Sequence, residues 1–257
     1  MAQPRVSIVT GASSGIGAAV ARDLAHEGCH VLVNYSRNRE GGESVAEACR
    51  AQGVEAIATR GDISSDRDCV ALAGVAVKAW GRIDIVVNNA GVTRFADATD
   101  MHALEADDFE AIFAVNVIGS YQMTRAAVPA LREANGSVVN ISSASGFTGS
   151  GSSIAYAASK GALNTLTLGL ARSLAPHVRV NAVCPGFVDT DWMAPIIADG
   201  ELAAFKEKAA AATPLQTIPT VEDVAEAVRW LALGARSVTG QLLVMDGGAH
   251  LAAGEAR

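Results

Sequence analysis

The sequence predicts an α/β domain in which a seven-stranded parallel sheet carries helices on both faces. Three observations lead there. Short apolar, β-branched runs recur along the chain with longer stretches of helical spacing between them, the alternation that builds βαβ units. Most of these runs lack polar alternation, as strands do when helices bury both of their faces. The first run is followed at once by a glycine-rich turn and then by a helical pattern.

In chain order, strands are expected at Val6–Thr10, Val31–Tyr35, Ala56–Arg60, Ile83–Asn88, Ser137–Ile141, Arg179–Val183 and Leu242–Val244. Between them, 3.6-residue periodicity places helices at Gly15–Glu27, Glu43–Gln52, Asp66–Ala79, Asp107–Ala130, Ile154–Leu174 and Val221–Leu233. Two of these open on capping signatures, Ser65 with Asp68 and Thr220 with Asp223. The densest small-polar stretch, Ser142–Ser153, lies between a strand and a helix and reads as a site loop. No Pro/Gly/Ser-rich linker or internal repeat divides the chain, so residues 1–257 are expected to form one unit. Within it, 189–219 has helical fragments broken by Pro195, Gly200, Pro214 and Pro219, the pattern of a lid over a pocket.

Composition narrows the function classes. Of 257 residues half are hydrophobic, enough for one sizeable core. A formal charge of -7 repels phosphate backbones and anionic lipid, which argues against nucleic acid and membrane surfaces as partners. Cys29, Cys49, Cys69 and Cys184 lie far apart with no C-x-x-C pair, which fits a reducing cytoplasm and neither a metal knuckle nor a disulfide framework. The apolar stretch near the N-terminus is too short for a signal-peptide core, and no apolar run reaches the roughly 20 residues of a membrane span. A soluble, cytoplasmic protein is expected.

The turn Gly11-Ala12-Ser13-Ser14-Gly15-Ile16-Gly17 follows the first strand and opens the first helix. Glycines there let the backbone approach a pyrophosphate, which sits at the positive end of the helix; the same pattern also serves a tight βα connection alone. At the end of the second strand, where an acidic residue would hold the ribose 2′-hydroxyl of NAD, the chain reads Asn34-Tyr35-Ser36-Arg37. Ser36 can donate to a phosphate oxygen and Arg37 can pair with a 2′-phosphate, so NADP is preferred; the other reading makes Arg37 and Arg39 solvated loop charges. Tyr156 and Lys160 stand one helical turn apart, which lets an ammonium lower the phenol pKa towards neutral acid/base work. Ser143 closes the fifth strand across a Gly/Ser-rich loop from Tyr156, so both can face the carboxyl edge of the sheet.

Taken together, Thr10-Gly11-Ala12-Ser13-Ser14-Gly15-Ile16-Gly17, Asn88-Asn89-Ala90-Gly91, Asn116, Ser143, Tyr156-Ala157-Ala158-Ser159-Lys160 and Pro185-Gly186-Phe187-Val188-Asp189-Thr190 resemble the short-chain dehydrogenase/reductase family along essentially the whole chain, nearest to its 3-oxoacyl-acyl-carrier-protein reductase branch. The resemblance implies a Rossmann-type doubly wound sheet of order 3-2-1-4-5-6-7. It implies that Ser143 holds the substrate oxygen, Tyr156 exchanges the proton, Lys160 lowers the tyrosine pKa and bonds the nicotinamide ribose, and Asn116 holds a water in the proton relay. For the cofactor it implies Gly11, Ser13, Ser14, Gly15, Ile16 and Gly17 at the pyrophosphate, Ser36 and Arg37 at the 2′-phosphate, and Asp62 and Ile63 at the adenine. Asn89, Ala90 and Gly91 would line the ribose, and Pro185, Gly186, Val188 and Thr190 the nicotinamide. Asp62 reads equally as a turn residue after the third strand.

The activity so implied is an NADP(H)-dependent oxidoreductase moving hydride between the nicotinamide and a ketone or secondary alcohol, as a 3-oxoacyl or similar carbonyl reductase. The alternatives are a sugar or steroid-type alcohol dehydrogenase and a non-catalytic NADP(H)-binding scaffold. Members of the family are commonly tetramers, and a homotetramer is expected here, its long helices pairing across a dimer interface. Three departures from relatives are visible: a longer segment between Gly91 and Asn116, a shorter turn at Ala175–Val178, and an extension from Ala249 to Arg257. His26, His30, His102, His177 and His250 have no partners at ligand spacing, so no metal site is expected. Cys184 is expected to be a buried apolar residue, and Phe95, Phe147, Phe187, Trp192 and Met193 hint at an apolar pocket.

Overall fold

The structure is a computed structural model and describes residues 3–190, 192 and 201–252. The first half of the chain runs β1 (Val6–Val9), α1 (Gly15–His26), β2 (His30–Tyr35), α2 (Arg39–Arg50), β3 (Ala56–Arg60), α3 (Asp66–Trp80), β4 (Ile85–Asn88) and α4 (Ala106–Phe113). A π-helical turn, Ala114–Gly119, leads into α5 (Ser120–Ala134), then β5 (Ser137–Ile141), α6 (Ser145–Thr148), α7 (Ile154–Leu174) and β6 (Arg179–Pro185). After them come α8 (Leu202–Ala211), α9 (Val221–Arg229), a second π turn at Trp230–Gly234, β7 (Leu242–Met245) and α10 (Ala249–Ala252).

All seven strands pair in parallel in the expected order β3-β2-β1-β4-β5-β6-β7. Side chains alternate across the sheet, so each strand feeds two cores. Val9, Val33, Val87 and Val139 meet Leu24 of α1 and Val224 and Leu231 near α9 on one face. Val6, Ile8, Val86 and Val138 meet Leu72 of α3, Met123 and Leu131 of α5 and Leu170 of α7 on the other. The order reverses at β1, with β2 on one side and β4 on the other, and the crevice beyond their carboxyl ends is where such sheets bind ligands.

The differences from expectation have local causes. Helix α2 begins at Arg39, four residues early, because Asn38 caps it by accepting from the Gly41 N–H at 2.9 Å. Gly42 inside this helix serves packing: a Cβ there would stand 2.5 Å from the Tyr35 ring. The long helix expected over Asp107–Ala130 is interrupted by the π turn and continues past Pro129 to Ala134. Its stop is Asn135, left-handed at φ 49°, followed by Gly136, whose N–H donates back to the Leu131 carbonyl at 2.8 Å. Strand β4 starts at Ile85 rather than Ile83, and the preceding Asp84 uses its carboxylate to accept from the Val6 N–H. Both expected caps form, at Ser65 and Thr220. The expected lid contains α8; its residues 191 and 193–200, with Met193, Pro195 and Gly200, lie outside the described residues, as do 253–257 of the C-terminal extension.

Candidate active site

The carboxyl ends of β1, β4, β5 and β6 border one cleft of about 2110 Å³. The glycine turn forms part of its floor, and Gly11 there has φ +60° with a would-be Cβ only 2.8 Å from the Ala90 backbone. Asn34 and Asn89 brace the turn. Asn34 Oδ1 accepts from the Gly11 N–H at 3.2 Å, and Asn89 Nδ2 donates to the carbonyls of Thr10 and Gly11 at 3.0 Å each. Helix α1 has Ser14 at its N-cap position with no side-chain cap bond and no acid in its first turn, whereas Asn38, Ser65, Ser153 and Thr220 all cap theirs. The helix start thus offers uncapped N–H donors to the cleft, the donor set that suits a pyrophosphate.

Ser14, Gly15 and Ile16 line the cleft, but Ser13 and Gly17 do not. Gly17 is a packing residue: a Cβ on it would lie 2.4 Å from Asn89 Nδ2 and 2.6 Å from the Gly11 carbonyl oxygen. Alanine ordinarily strengthens a helix relative to glycine by up to about 1 kcal/mol. Here Gly17→Ala is expected to do the reverse, costing about 2 kcal/mol by overpacking. A thermal melt should fall by roughly 4–8 °C, and an unchanged or raised midpoint would contradict this packing argument.

At the far end, Ser36 and Arg37 border the cleft and are exposed, and among the described residues Arg37 has no carboxylate within ion-pair distance. Asp62 and Ile63 line it as well. Asp62 also makes the turn expected of it, Oδ1 accepting from the Ser64 N–H at 3.0 Å and the Ser64 hydroxyl at 2.7 Å. Ile63 is largely core, packed beneath Gly119. Ala90, Gly91, Pro185, Gly186, Val188 and Thr190 complete the wall beside Asn89.

Ser143, Tyr156 and Lys160 meet in the same cleft. Ser153 caps α7 by accepting from the Tyr156 N–H at 3.2 Å, which sets the phenol in the first turn of the helix. Ser143 lies two residues beyond β5, its hydroxyl 3.4 Å from the Pro185 carbonyl and accepting from the Ser145 N–H at 3.1 Å. Lys160 is buried and donates from Nζ to the Ile141 carbonyl at 2.8 Å, with Nζ 5.6 Å from the Tyr156 ring centroid. Asn116 is fully buried in the π turn and does not line the cleft. Its amide is committed to the chain: Oδ1 accepts from the Val92 N–H at 2.8 Å, and Nδ2 donates to the Val92 carbonyl and the Ser159 hydroxyl at 3.0 Å each. That side chain fastens the loop after β4 to α7.

The electrostatics correct one expectation. Burial pushes the Tyr156 phenol up to about 12, with the Ser143 hydroxyl pulling the other way, so the protein alone does not bring it towards neutrality. Lys160 meanwhile donates from Nζ to the Ile141 carbonyl, and burial pulls its own pKa down to about 8.

Residues 5–201 match the family model described as short chain dehydrogenase. The chain belongs to that family. A ketoacyl reductase 2 named for the granaticin polyketide synthase of Streptomyces violaceoruber is 45% identical over 247 residues, 96% of each chain. The 3-oxoacyl-[acyl-carrier-protein] reductase of Staphylococcus aureus is 34% identical over 254 residues, 98% of this chain and all of that one. Among solved structures, a short-chain dehydrogenase/reductase from Burkholderia xenovorans superposes with a TM-score of 0.90 at 40% identity, covering 98% of this chain and 100% of that one. An NAD+-bound xylitol dehydrogenase superposes at 0.85 with 29% identity, over 96% and 99%.

This short-chain dehydrogenase also places in the cleft residues that sequence reading passed over. Helix α8 supplies Phe205, edge-on to Phe187 at 5.1 Å, and Lys206, paired with Asp189 at 2.6 Å. Trp192 tilts over Tyr156 with ring centroids 5.9 Å apart, and Phe95 lines the cleft while Phe147 does not. Arg22, Arg60 and Arg67 line the cleft as well as Arg37. Among the described residues no helix is long and apolar enough to cross a membrane.

Proposed function

We propose that this enzyme is an NADP(H)-dependent carbonyl reductase that moves hydride between the nicotinamide and a ketone or secondary alcohol, with 3-oxoacyl or similar β-keto compounds as substrates. The observation that carries the reading is the convergence of Ser143, Tyr156 and Lys160 on one cleft whose other end holds the glycine turn and an uncapped helix start. The dinucleotide supplies the hydride when it is bound. The Ser143 hydroxyl holds the carbonyl oxygen, and the Tyr156 phenol, protonated at neutral pH, gives that oxygen its proton as negative charge develops. Lys160 holds the nicotinamide ribose, and Asn116 keeps the loop after β4 in register with α7. Residues 1–257 work as one unit with α8 as part of the substrate lid, clasped through Phe205 and Lys206. The ketoacyl reductase names of two relatives support the β-keto substrate class.

The choice of NADP rests on Arg37 and on the absence of an acid at the end of β2. Arg37→Gln is expected to lower kcat/KM with NADPH about tenfold, in line with the loss of one charge-assisted hydrogen bond, and to leave NADH turnover in place. Equal losses with both cofactors would remove the 2′-phosphate role. The overall test is a panel of β-ketoesters, simple ketones and polyols with each nicotinamide. Reduction of β-ketoesters with NADPH is the expected result, and polyol oxidation with NAD alone would replace this reading by the sugar-type one.

A homotetramer is part of the proposal. Phe109, Ile118, Tyr121 and Leu168 leave large apolar surface on α4, the π turn, α5 and α7, the helices expected to pair. Light scattering that finds only the monomer mass would overturn it.

A further inference from the structure

Asp246 and His250 line the cleft just beyond β7, and the Gly247-Gly248 turn between them packs on Thr213, Pro214 and Thr217, which follow α8. Asp246 is nearly inaccessible and packs directly on Gly186, where a Cβ would meet the Asp246 Cβ at 2.6 Å. Its carboxylate organises the turn that follows, Oδ1 accepting from the Gly248 N–H at 2.9 Å and Oδ2 from the His250 N–H at 2.8 Å. Those two bonds would be enough to cap the turn. The imidazole adds two more, with Nδ1 at 2.8 and 3.0 Å from the two carboxylate oxygens. Burial raises the Asp246 pKa, but the bonds from His250 and Gly248 outweigh it and hold the carboxyl below its usual range. An ionised carboxylate only accepts, so Nδ1 is the nitrogen that donates to it, and of the two neutral tautomers this geometry selects the one whose Nε2 is an acceptor. Among the described residues Nε2 has no partner, and the side chain is 38% exposed at the cleft.

We propose that His250, oriented by Asp246, is a specificity-determining residue whose Nε2 accepts a hydrogen bond from a hydroxyl that the substrate carries in addition to the carbonyl being reduced. The preferred substrates are therefore hydroxylated ketones. The inference rests on the carbonyl reductase reading of the cleft and adds the substrate group to it. Asp246 acts through His250 and is a positioning residue.

The test compares ethyl 3-oxohexanoate with its 5-hydroxy and 6-hydroxy derivatives in wild type, His250→Phe and Asp246→Asn. In wild type at least one hydroxy ester should exceed the parent in kcat/KM by about fivefold, the worth of one ordinary hydrogen bond at a part-exposed site. In His250→Phe that ratio should fall to about one. In Asp246→Asn the amide can donate to Nδ1, which turns Nε2 into the N–H edge, and the ratio should fall likewise. A ratio unchanged in His250→Phe overturns the inference, as does a wild-type preference for the free 3-oxohexanoate acid with no gain from either hydroxyl. If none of the esters is turned over, the reductase reading fails separately. Calorimetric Kd values for the same esters on the NADPH-loaded protein then decide: a hydroxyl gain that His250→Phe loses supports the assignment, and equal values overturn it.

Discussion

Tyr156→Phe is expected to abolish carbonyl reduction and leave NADPH binding within a few fold of wild type. The substitution removes one oxygen from a half-buried ring that the Ser153 cap and the tilted Trp192 continue to hold, so the protein should fold as before. What is lost is the proton donor that the proposed mechanism assigns to the developing alkoxide, a contribution of roughly 10²- to 10⁴-fold in positioned acid catalysis. A variant that kept more than about a hundredth of the wild-type rate would end the general-acid assignment. The phenol's position near 12 adds a direction. Reduction uses the protonated form, which persists throughout the neutral range. Alcohol oxidation uses the phenolate, so its rate should climb with pH well beyond neutrality. Initial rates in both directions across pH, with wild type and the variant side by side, check both statements.

The sheet was legible because buried parallel strands have a plain signature: Ile8, Val9, Val33, Val86, Val87 and Val139 occur in short β-branched runs, too short for helices and spaced by helical stretches. The glycine turn and the Tyr156/Lys160 pair were legible because each depends on spacing along one segment. What could not be read depends on contacts between segments. Gly17 reads as a phosphate residue until Asn89 and the Gly11 carbonyl are seen against it. Asn116 reads as a relay residue, and only the fold shows that its amide also ties Val92 to Ser159. Lys160 one turn from Tyr156 suggests a lowered phenol pKa, and only the fold reveals how deeply the phenol's oxygen is buried, which pushes it up. His250 and Asp246 are four apart, the same spacing as Tyr156 and Lys160, yet nothing in their surroundings marks them. The cleft wall that makes them relevant comes from Gly186 and α8, remote in sequence.

Lys160→Met is expected to make the protein more stable near neutral pH while it destroys the activity. The lysine is buried, and burial draws its pKa down from 10.5 to about 8. In the unfolded chain the ammonium keeps its ordinary affinity for the proton, so between those two values the unfolded state holds a proton that the folded state has released. Stability therefore rises as pH rises from about 8 to 10.5, and below that window the folded protein carries the full cost of an ammonium in an apolar site. At 1.36 kcal/mol per pKa unit the cost is about 3 kcal/mol. The bond from Nζ to the Ile141 carbonyl returns about 1 kcal/mol of it. A methionine of similar length removes both, for a net gain of about 2 kcal/mol, or roughly 4–8 °C in melting temperature. Melts near pH 7 should show the gap, and melts near pH 10 should show most of it closed, because the wild-type lysine is then largely neutral when folded. A gap that is absent near pH 7, or that persists unchanged at high pH, would mean that Lys160 is not held as a costly buried cation. The same cation is what the proposed mechanism needs at the nicotinamide ribose. The site thus keeps, at the expense of the fold, a charge that packing alone would discard.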